Sequence, residues 1–438
     1  MASLGTFRVL YRVDAISTRP WPNLLRLPSH SSNTIPAREV WSLQIASGWP
    51  RSFHTPSYRR SQAPTHSSAP FTYAISAAYS GKYDSLDLAA NLYTHNPHHR
   101  LTETVTEGHW PQRKSLRPQS GQDAFFVSNI GSSSPSHGTS NGSQQIAFGV
   151  VDGVGGWADS GVDAADFAHA LCDYMASASA HYPDSFGGSA NAPHPLRPTA
   201  ILEHGYQSVL QDTRILAGGS TACVAVAGAD ASLEVANLGD SGYAHLSPFR
   251  LNSVSQPQTH AFNTPFQLSK IPPKLVAQAA LFGGRYFADY PTDAHLSRSE
   301  LAHGDVLVLA TDGVWDNLSP EDILRTTCRV MVGMGGWLLR PGGGAVDVSP
   351  GFAALAKCLP SSSTSVLEEV EEFEDKVGDL SAVLASAITR EAKEASLSQK
   401  RDGPFAREMQ RLYPEENWRG GKADDICTLV VLVVQEGL

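Results

Sequence analysis

Two aspartates stand directly after apolar stretches that predict buried strands. The segments IAFGVVDG and DVLVLATDG each run into an Asp-Gly pair, at Asp152-Gly153 and at Asp312-Gly313. A fully apolar strand is buried on both faces, so the aspartate that ends it lies at the rim of the core. The glycine lets the backbone turn sharply there. Either pair alone is also an ordinary turn motif.

Three more aspartates stand where apolar stretches begin. Asp123 opens DAFFV, while Asp424 and Asp425 precede ICTLVVLVV. In an antiparallel sheet the start of one strand lies beside the end of its neighbour. The sequence therefore predicts that acids from two strand ends and two strand starts converge on one edge of a sheet.

Converging carboxylates predict a metal site. Like charges in a small volume do not all stay ionised unless cations compensate them. Oxygen ligands without His or Cys favour Mg²⁺ or Mn²⁺ over zinc or copper. Two such ions about 4 Å apart can activate a bridging water and clamp a phosphoryl oxygen. A phosphate ester is the substrate that this chemistry favours.

The elements that must position these acids follow from hydrophobic periodicity. Strands are predicted at Ala124–Asn129, Ile146–Val151, Ser220–Ala227, Leu233–Asn237, Tyr243–Leu246, Val306–Ala310 and Ile426–Val434. Helices are predicted from Val162, from Pro198, after the N-cap Ser319 and from Asp379. Strands in runs with helices grouped between them indicate a layered α+β fold, not alternating βαβ units.

Seven segments together resemble one family. They are GQDAFF, FGVVDGVGGW, GGSTACVAV, VANLGDSGY, HAFNTPFQLS, DVLVLATDGVWDN and GGKADDICTLVV, in this order from Gly121 to Val434. They resemble the motifs of the type 2C metal-dependent Ser/Thr protein phosphatases. The segments DGVGGW and FNTPFQLS are most similar to those of the mitochondrial matrix subgroup. The resemblance implies a mostly antiparallel β-sandwich flanked by helices on both sides, in α-β-β-α layers.

The resemblance also assigns roles to the predicted site residues. Asp152 would bridge two metal ions and Gly153 would offer its carbonyl to the first. Asp312 and Asp424 would bind the second ion. Asp123 would hold the first ion through water, so that Asp123 and Asp152 are the predicted catalytic residues.

Two further acids are expected to support the site, and a third is assigned to a turn. Asp316 and Asp425 are expected to orient waters and neighbouring ligands. Asp240, in LGDSG, is interpreted as part of a hairpin turn. The GGSTA segment lacks the P-loop lysine, so we expect it to pack tightly beneath the site.

The chain departs from the wider family at three points. Gln122 stands where many members have an acid, and Val154 where many have a histidine. No general acid is therefore named. Lys114 or Arg117 could take the place of the family's phosphate-binding arginine, but a solvated role for both is the alternative.

Composition divides the chain. Residues 1–60 hold eight arginines, no lysine and two acids, which is typical of a mitochondrial targeting segment, although a disordered basic arm has the same composition. Residues 61–104 are interpreted as a Ser/Pro-rich linker with one edge strand, and 105–438 as the catalytic domain. Since the net charge is -10 and residues 1–60 carry +6, the remainder carries -16, which argues against nucleic acid as a partner. No apolar stretch reaches the roughly 18 residues of a membrane span.

The sequence thus predicts a monomeric, two-metal Mn²⁺ or Mg²⁺ phosphatase of the mitochondrial matrix. Its substrates would be phosphoserine and phosphothreonine in proteins, attacked by a metal-bridging hydroxide. Gln122 and Val154 keep open a catalytically weakened relative that only binds phosphoproteins. A phosphatase that acts on small metabolites is a further alternative, whereas the acidic body disfavours a nuclease.

Overall fold

The structure is a computed structural model, which describes residues 69–95, 117–132, 145–187, 195–282, 286–340, 346–356 and 379–437. The predicted targeting segment, residues 1–60, and Lys114 lie outside these ranges. None of the described helices is long and apolar enough to cross a bilayer.

Two antiparallel sheets form the centre of the fold. The strands are β1 Phe71–Ser80, β2 Leu92–His95, β3 Asp123–Asn129, β4 Ile146–Asp152, β5 Gly218–Ser220, β6 Ala222–Ala227, β7 Ser232–Leu238, β8 Gly242–Ser247, β9 Arg250–Val254, β10 Thr259–Ala261, β11 Thr264–Pro265, β12 Leu268–Lys270, β13 His295–Glu300, β14 Val306–Ala310, β15 Trp337–Leu339, β16 Val346–Val348 and β17 Ile426–Gln435. One sheet has the order β2-β1-β17-β14-β8-β9 and the other β13-β7-β6-β4-β3. Three two-stranded pairs, β10-β11, β12-β5 and β15-β16, lie outside them.

Helices cover the outer face of each sheet. The helices of the described residues are α1 Ala164–Ala180, α2 Pro198–Gln211, α3 Pro273–Phe282, α4 Asp312–Trp315, α5 Pro320–Gly333, α6 Phe352–Ala356, α7 Leu380–Leu397 and α8 Pro404–Leu412. Short 3₁₀ turns occur at Gly155–Ser160, Asp184–Phe186, Pro291–Asp293 and Pro414–Glu416. Phe167 of α1 and Ile201 of α2 pack with the five-stranded sheet, whereas Leu384 of α7 and Ile323 of α5 pack with the six-stranded sheet.

A third apolar cluster fills the space between the sheets. It joins Ile75 of β1 and Leu429 of β17 to Phe148 of β4 and Cys223 of β6, which are all fully buried. The predicted α-β-β-α sandwich is therefore confirmed. The N-cap predicted at Ser319 is also confirmed, because its hydroxyl accepts from the Asp322 backbone and the Asp322 carboxylate accepts from the Ser319 backbone.

Strand β1 corrects the linker prediction for residues 71–95. It pairs with β17 from Phe71↔Gln435 to Ser80↔Ile426, and with β2 on its other side, so it is an interior strand. The strand expected in this region is therefore present, but it is not an edge strand. Ser76 lies on the helix side, where its hydroxyl is 2.7 Å from that of Ser381 in α7, and the Ala78 carbonyl accepts from Thr389 at 3.2 Å. Small side chains let α7 approach the sheet closely.

Candidate active site

The predicted convergence of strand ends is confirmed for Asp123 and Asp152. They are paired opposite each other in the antiparallel register of β3 and β4. Asp123 is 1% exposed, and Thr311 donates to its Oδ2 at 2.7 Å. Burial, followed by the neighbouring charges of Asp425 for Asp123 and of Asp312 for Asp152, raises the pKa of both carboxyls well above the ordinary value.

Asp312 and Asp424 reach the same end of the sandwich from β14 and β17, which pair side by side up to Ala310↔Thr428. Asp312 is the first residue of α4, after β14. Both acids contact the ammonium of Lys422, at 2.7 Å from Asp312 and 3.1 Å from Asp424. Burial alone raises the pKa of Asp312, but Lys422 outweighs it, so the pKa lies below the ordinary aspartate value.

Asp240 completes the cluster, and its interpretation as part of a hairpin turn is wrong. Carboxylate oxygens of Asp152, Asp240 and Asp312 all lie within 4.8 Å of one another. The residue stands between β7 and β8, which belong to different sheets, so this connection crosses from one sheet to the other. The sequence did contain a signal, because VANLGD repeats the pattern of an apolar strand that runs into an aspartate.

The surrounding protein does little to compensate a negative charge on the Asp240 carboxyl. Its Oδ1 is buried and accepts no hydrogen bond from any residue that the structure describes. Burial, followed by the charges of Asp312 and Asp316, raises its pKa well above the ordinary value. A buried acceptor without a donor costs free energy, which a bound cation would recover.

Asp425 supports the site by accepting hydrogen bonds from the backbone, in agreement with its predicted role of orienting neighbouring groups. Its carboxylate accepts from the backbone N–H of Gln122 at 2.8 Å and of Lys82 at 2.5 Å. Two glycines make room for it: a Cβ at Gly121 would lie 2.1 Å from the Asp425 carboxylate, and one at Gly313 would lie 1.9 Å from its carbonyl oxygen. Both approaches are too close for any side chain.

The turn after β1, which contains Lys82, is held in place by hydrogen bonds from helix α7. Lys393 of α7 is 5% exposed and donates to the carbonyls of Gly81 at 2.7 Å and of Lys82 at 3.0 Å. Helix α7 thus supports the turn after β1, and the turn supports Asp425.

The GGSTA segment packs beneath the site, as predicted. Ser220 Oγ and the Thr221 backbone N–H donate to the Asp152 carbonyl at 2.8 and 2.9 Å. The backbone N–H of Gly153 donates to the Gln122 carbonyl at 3.1 Å. A Cβ at Gly153 would lie 2.8 Å from the Ala164 carbonyl oxygen, so the close packing here requires glycine.

Arg117 is engaged by acids of α1 and its N-cap. It pairs with Asp166 and, at 3.4 Å, with Asp163, and its side chain is 16% exposed. To bind a phosphate, Arg117 would have to exchange these partners. The solvated alternative is wrong for Arg117.

The donor set fits divalent cations. Clustered carboxylate oxygens come from Asp152, Asp240 and Asp312. Asp424 and Asp312 both contact the ammonium of Lys422. One oxygen of Asp240 accepts no hydrogen bond from the described residues. Such all-oxygen sets suit Mg²⁺ or Mn²⁺. The described residues thus form a two-sheet sandwich with a cluster of acids at one end.

Comparison with known proteins identifies the family. The chain is 31% identical over 316 residues to the Drosophila melanogaster protein phosphatase PTC7 homolog fig, which covers 72% of this chain and 77% of that protein. The chain belongs to the PTC7 family of type 2C protein phosphatases. It is also 35% identical over 211 residues to the mitochondrial protein phosphatase 2C homolog 7 of Saccharomyces cerevisiae.

The extent of these matches differs. The match to the yeast protein covers 48% of this chain and 57% of that protein, so the chain spans little more than half of that relative's length. No family model matches the chain. Among solved structures, the photosystem II phosphatase PBCP superposes with a TM-score of 0.46 at 20% identity, over 74% of this chain and 94% of that one.

Proposed function

We propose that this chain is a metal-dependent protein phosphatase that hydrolyses phosphoserine and phosphothreonine. The observation that carries the proposal is the cluster of Asp152, Asp240 and Asp312, which are half-buried and whose oxygens lie within 4.8 Å of one another. Membership of the PTC7 family supports the same activity.

The residues would hold two ions, Mn²⁺ or Mg²⁺. Asp152 with the Gly153 carbonyl would hold the first, and Asp312 with Asp424 the second, with Asp240 as an added carboxylate beside Asp152 and Asp312. When bound, such ions supply Lewis acidity that activates water and stabilises the charge on a phosphoryl group.

The chain's own groups would orient this chemistry. Thr311 donates to Asp123 Oδ2 and so fixes the rotation of that carboxyl at the start of β3. Ser220 and Thr221 hold the backbone of Asp152. Because these supports come from two segments distant in the chain, the residue after β14 and the residues at the end of β5, the acids are held in place before substrate binds, which lowers the reorganisation needed during reaction.

We further propose that the protein acts in the mitochondrial matrix, as a monomer, on phosphoproteins. The name of the yeast relative includes mitochondrial, and residues 1–60 have the composition of a targeting segment. A reporter fused to residues 1–60 should enter mitochondria. Retention of that fusion in the cytosol would contradict the location.

Activity is tested with the purified full chain. Hydrolysis of a phosphoserine peptide should require Mn²⁺ or Mg²⁺ and stop in EDTA. Asp152→Asn and Asp312→Asn should abolish turnover, while Asp230→Asn, at an exposed turn between β6 and β7, should not. Wild-type rates in Asp152→Asn would overturn the proposal.

The alternatives give different outcomes in the same assay. Tight capture of the phosphopeptide without turnover would indicate a protein that binds phosphoproteins only. Turnover of small phosphate esters but of no phosphopeptide would indicate a metabolite phosphatase.

A further inference from the structure

A lysine side chain lies among the acids at the proposed second metal position. The ammonium of Lys422 is 2.6 Å from Asp316 Oδ2, 2.7 Å from Asp312 Oδ2 and 3.1 Å from Asp424 Oδ2. Its side chain is 14% exposed. The ammonium thus donates to the carboxylates of Asp312 and Asp316 and forms an ion pair with Asp424. Asp312 and Asp424 are the predicted ligands of the second ion.

The backbone of Lys422 is held by hydrogen bonds to Asn317, and its ammonium also contacts an aromatic ring. The Lys422 N–H donates to Asn317 Oδ1 and its carbonyl accepts from Asn317 Nδ2, both at 2.9 Å. Asn317 is 1% exposed and also donates to the carbonyl of Gly313 in α4. The backbone of Lys422 is therefore connected to α4 through Asn317. The ring of Phe405 lies 5.2 Å from the ammonium and offers an aromatic face to a cation.

Another lysine at the same site provides a contrast. Lys82 Nζ is 3.5 Å from Asp424 Oδ1, but its side chain is 37% exposed and this pair has water on one side. Exposed ion pairs contribute little, whereas a buried ammonium among three carboxylates interacts strongly. The two lysines share Asp424 and differ in burial.

A divalent cation and the ammonium compete for the same oxygens. Each carboxylate oxygen bound to Lys422 is withdrawn from a metal ion, and an ammonium that stayed in place would repel the ion. In the metal-free protein the same ammonium offsets the repulsion among Asp312, Asp316 and Asp424. Lys422 therefore stabilises the form without metal and opposes the form with metal.

We propose that Lys422 is a tethered internal cation that occupies the second metal position in the metal-free protein and sets the metal affinity of that position. The side chain leaves the three carboxylates when the ion enters. This inference rests on the proposed function, because it concerns the same metal site. Lys422 acts on the metal ion through the carboxylates and is in this sense a positioning residue.

The test measures binding and stability instead of turnover. Mn²⁺ is titrated calorimetrically into the purified full chain at pH 8 for wild type, Lys422→Met and Lys82→Met, and thermal unfolding is followed in EDTA. Lys422→Met should bind Mn²⁺ about tenfold more tightly or better, because the competitor is removed. It should also melt several degrees lower in EDTA. Lys82→Met should change both measurements much less than Lys422→Met does, because its pair with Asp424 is longer and more exposed.

The outcomes separate the two proposals. Mn²⁺ binding by Lys422→Met that is equal to or weaker than wild type would overturn the role of Lys422, even if its melting temperature falls, since a purely structural role lowers stability without tightening metal binding. A wild-type protein that binds no Mn²⁺ would instead contradict the proposed function. If Lys422→Met does not fold, Lys422→Gln decides, because its amide keeps hydrogen bonds to carboxylates and lacks the charge.

Discussion

Asp123 and Asp152 face each other across β3 and β4, one at the start of its strand and the other at the end. The pairing ties the geometry of the proposed metal site to the register of the sheet. A slip of one residue would move every side chain of a strand to the opposite face. The apolar residues between the sheets and under α1 fix that register, and so they also fix the distance between the two acids.

Thr311 is expected to link stability to the orientation of Asp123. Its hydroxyl donates to Asp123 Oδ2 at 2.7 Å and accepts from the Cys427 N–H at 3.0 Å. Thr311→Val keeps the shape but removes both bonds, so the free energy of unfolding in EDTA should fall by about 1–3 kcal/mol. Urea denaturation measures this change.

Thr428→Val is the matched control. Thr428 is equally buried, and within the described part of the chain its hydroxyl accepts and donates no hydrogen bond. The free energy of unfolding should stay the same or rise, because an unpartnered polar group is replaced by a methyl group. Equal losses in the two variants would contradict the importance of the bond to Asp123.

The metal-free protein should lose stability as the pH rises from 6.5 to 8. Burial, opposed in part by Lys422, raises the pKa of Asp316 to about 7, whereas in the unfolded chain it is about 4. The folded state therefore holds more protons in this range, and the free energy of unfolding falls with rising pH. Asp316 alone should contribute about 1 kcal/mol of this fall.

The buried histidines oppose this fall. Burial lowers the pKa of His95 and of His169 to about 4. Each therefore adds stability as the pH rises through the ordinary histidine pKa of about 6.5, and between pH 6.5 and 8 each still adds about 0.4 kcal/mol. Urea denaturation in EDTA at pH 6.5 and 8 is the measurement, and Asp316→Asn should lose less stability over this range than wild type. Equal changes in the two proteins would contradict the prediction.

Local patterns in the sequence were sufficient to predict a layered α+β fold and most of the clustered acids, and the family resemblance added the sandwich. A strand that runs into an aspartate is visible within eight residues, and this is how Asp152 and Asp312 were found. Asp240 has the same pattern, but GDSG also has the composition of a hairpin turn. Only the tertiary structure distinguishes a hairpin from a connection between two sheets.

Other parts of the site depend on contacts between distant segments. Lys422 lies among Asp312 and Asp316, more than a hundred residues earlier in the chain, and nothing in its neighbourhood indicates that its side chain is buried. Strand β1 was expected as an edge strand within a linker, because only its pairing with β17 and β2 shows that it lies inside the sheet. The partner helix, α7, follows about 300 residues later.

Gly313→Ala should damage the site through the backbone. A Cβ there would lie 1.9 Å from the Asp425 carbonyl oxygen, so α4 or the segment before β17 must move. Overpacking of this kind costs about 1–3 kcal/mol, and because Asp312 and Asp424 are neighbours of the two clashing residues, the affinity for Mn²⁺ should fall as well. Calorimetry and urea denaturation measure the two effects.

Gly156→Ala is the control for that variant. Gly156 lies near the site, in the turn at Gly155–Ser160, and a Cβ there would meet no atom within 4 Å. Its stability and Mn²⁺ affinity should match wild type. A Gly313→Ala protein that also matched wild type would show that the close approach to Asp425 is not required.

Removal of β1 should prevent folding, although the sequence placed it outside the catalytic domain. The strand lies between β2 and β17, and its Ile75 and Ala77 are fully buried between the sheets. A chain of residues 105–438 would expose the long apolar β17 at a sheet edge, which favours aggregation. A chain of residues 66–438 keeps β1 and should unfold cooperatively at the same urea midpoint as the full chain. If the shorter chain also unfolded cooperatively at that midpoint, β1 would not be part of the cooperative unit.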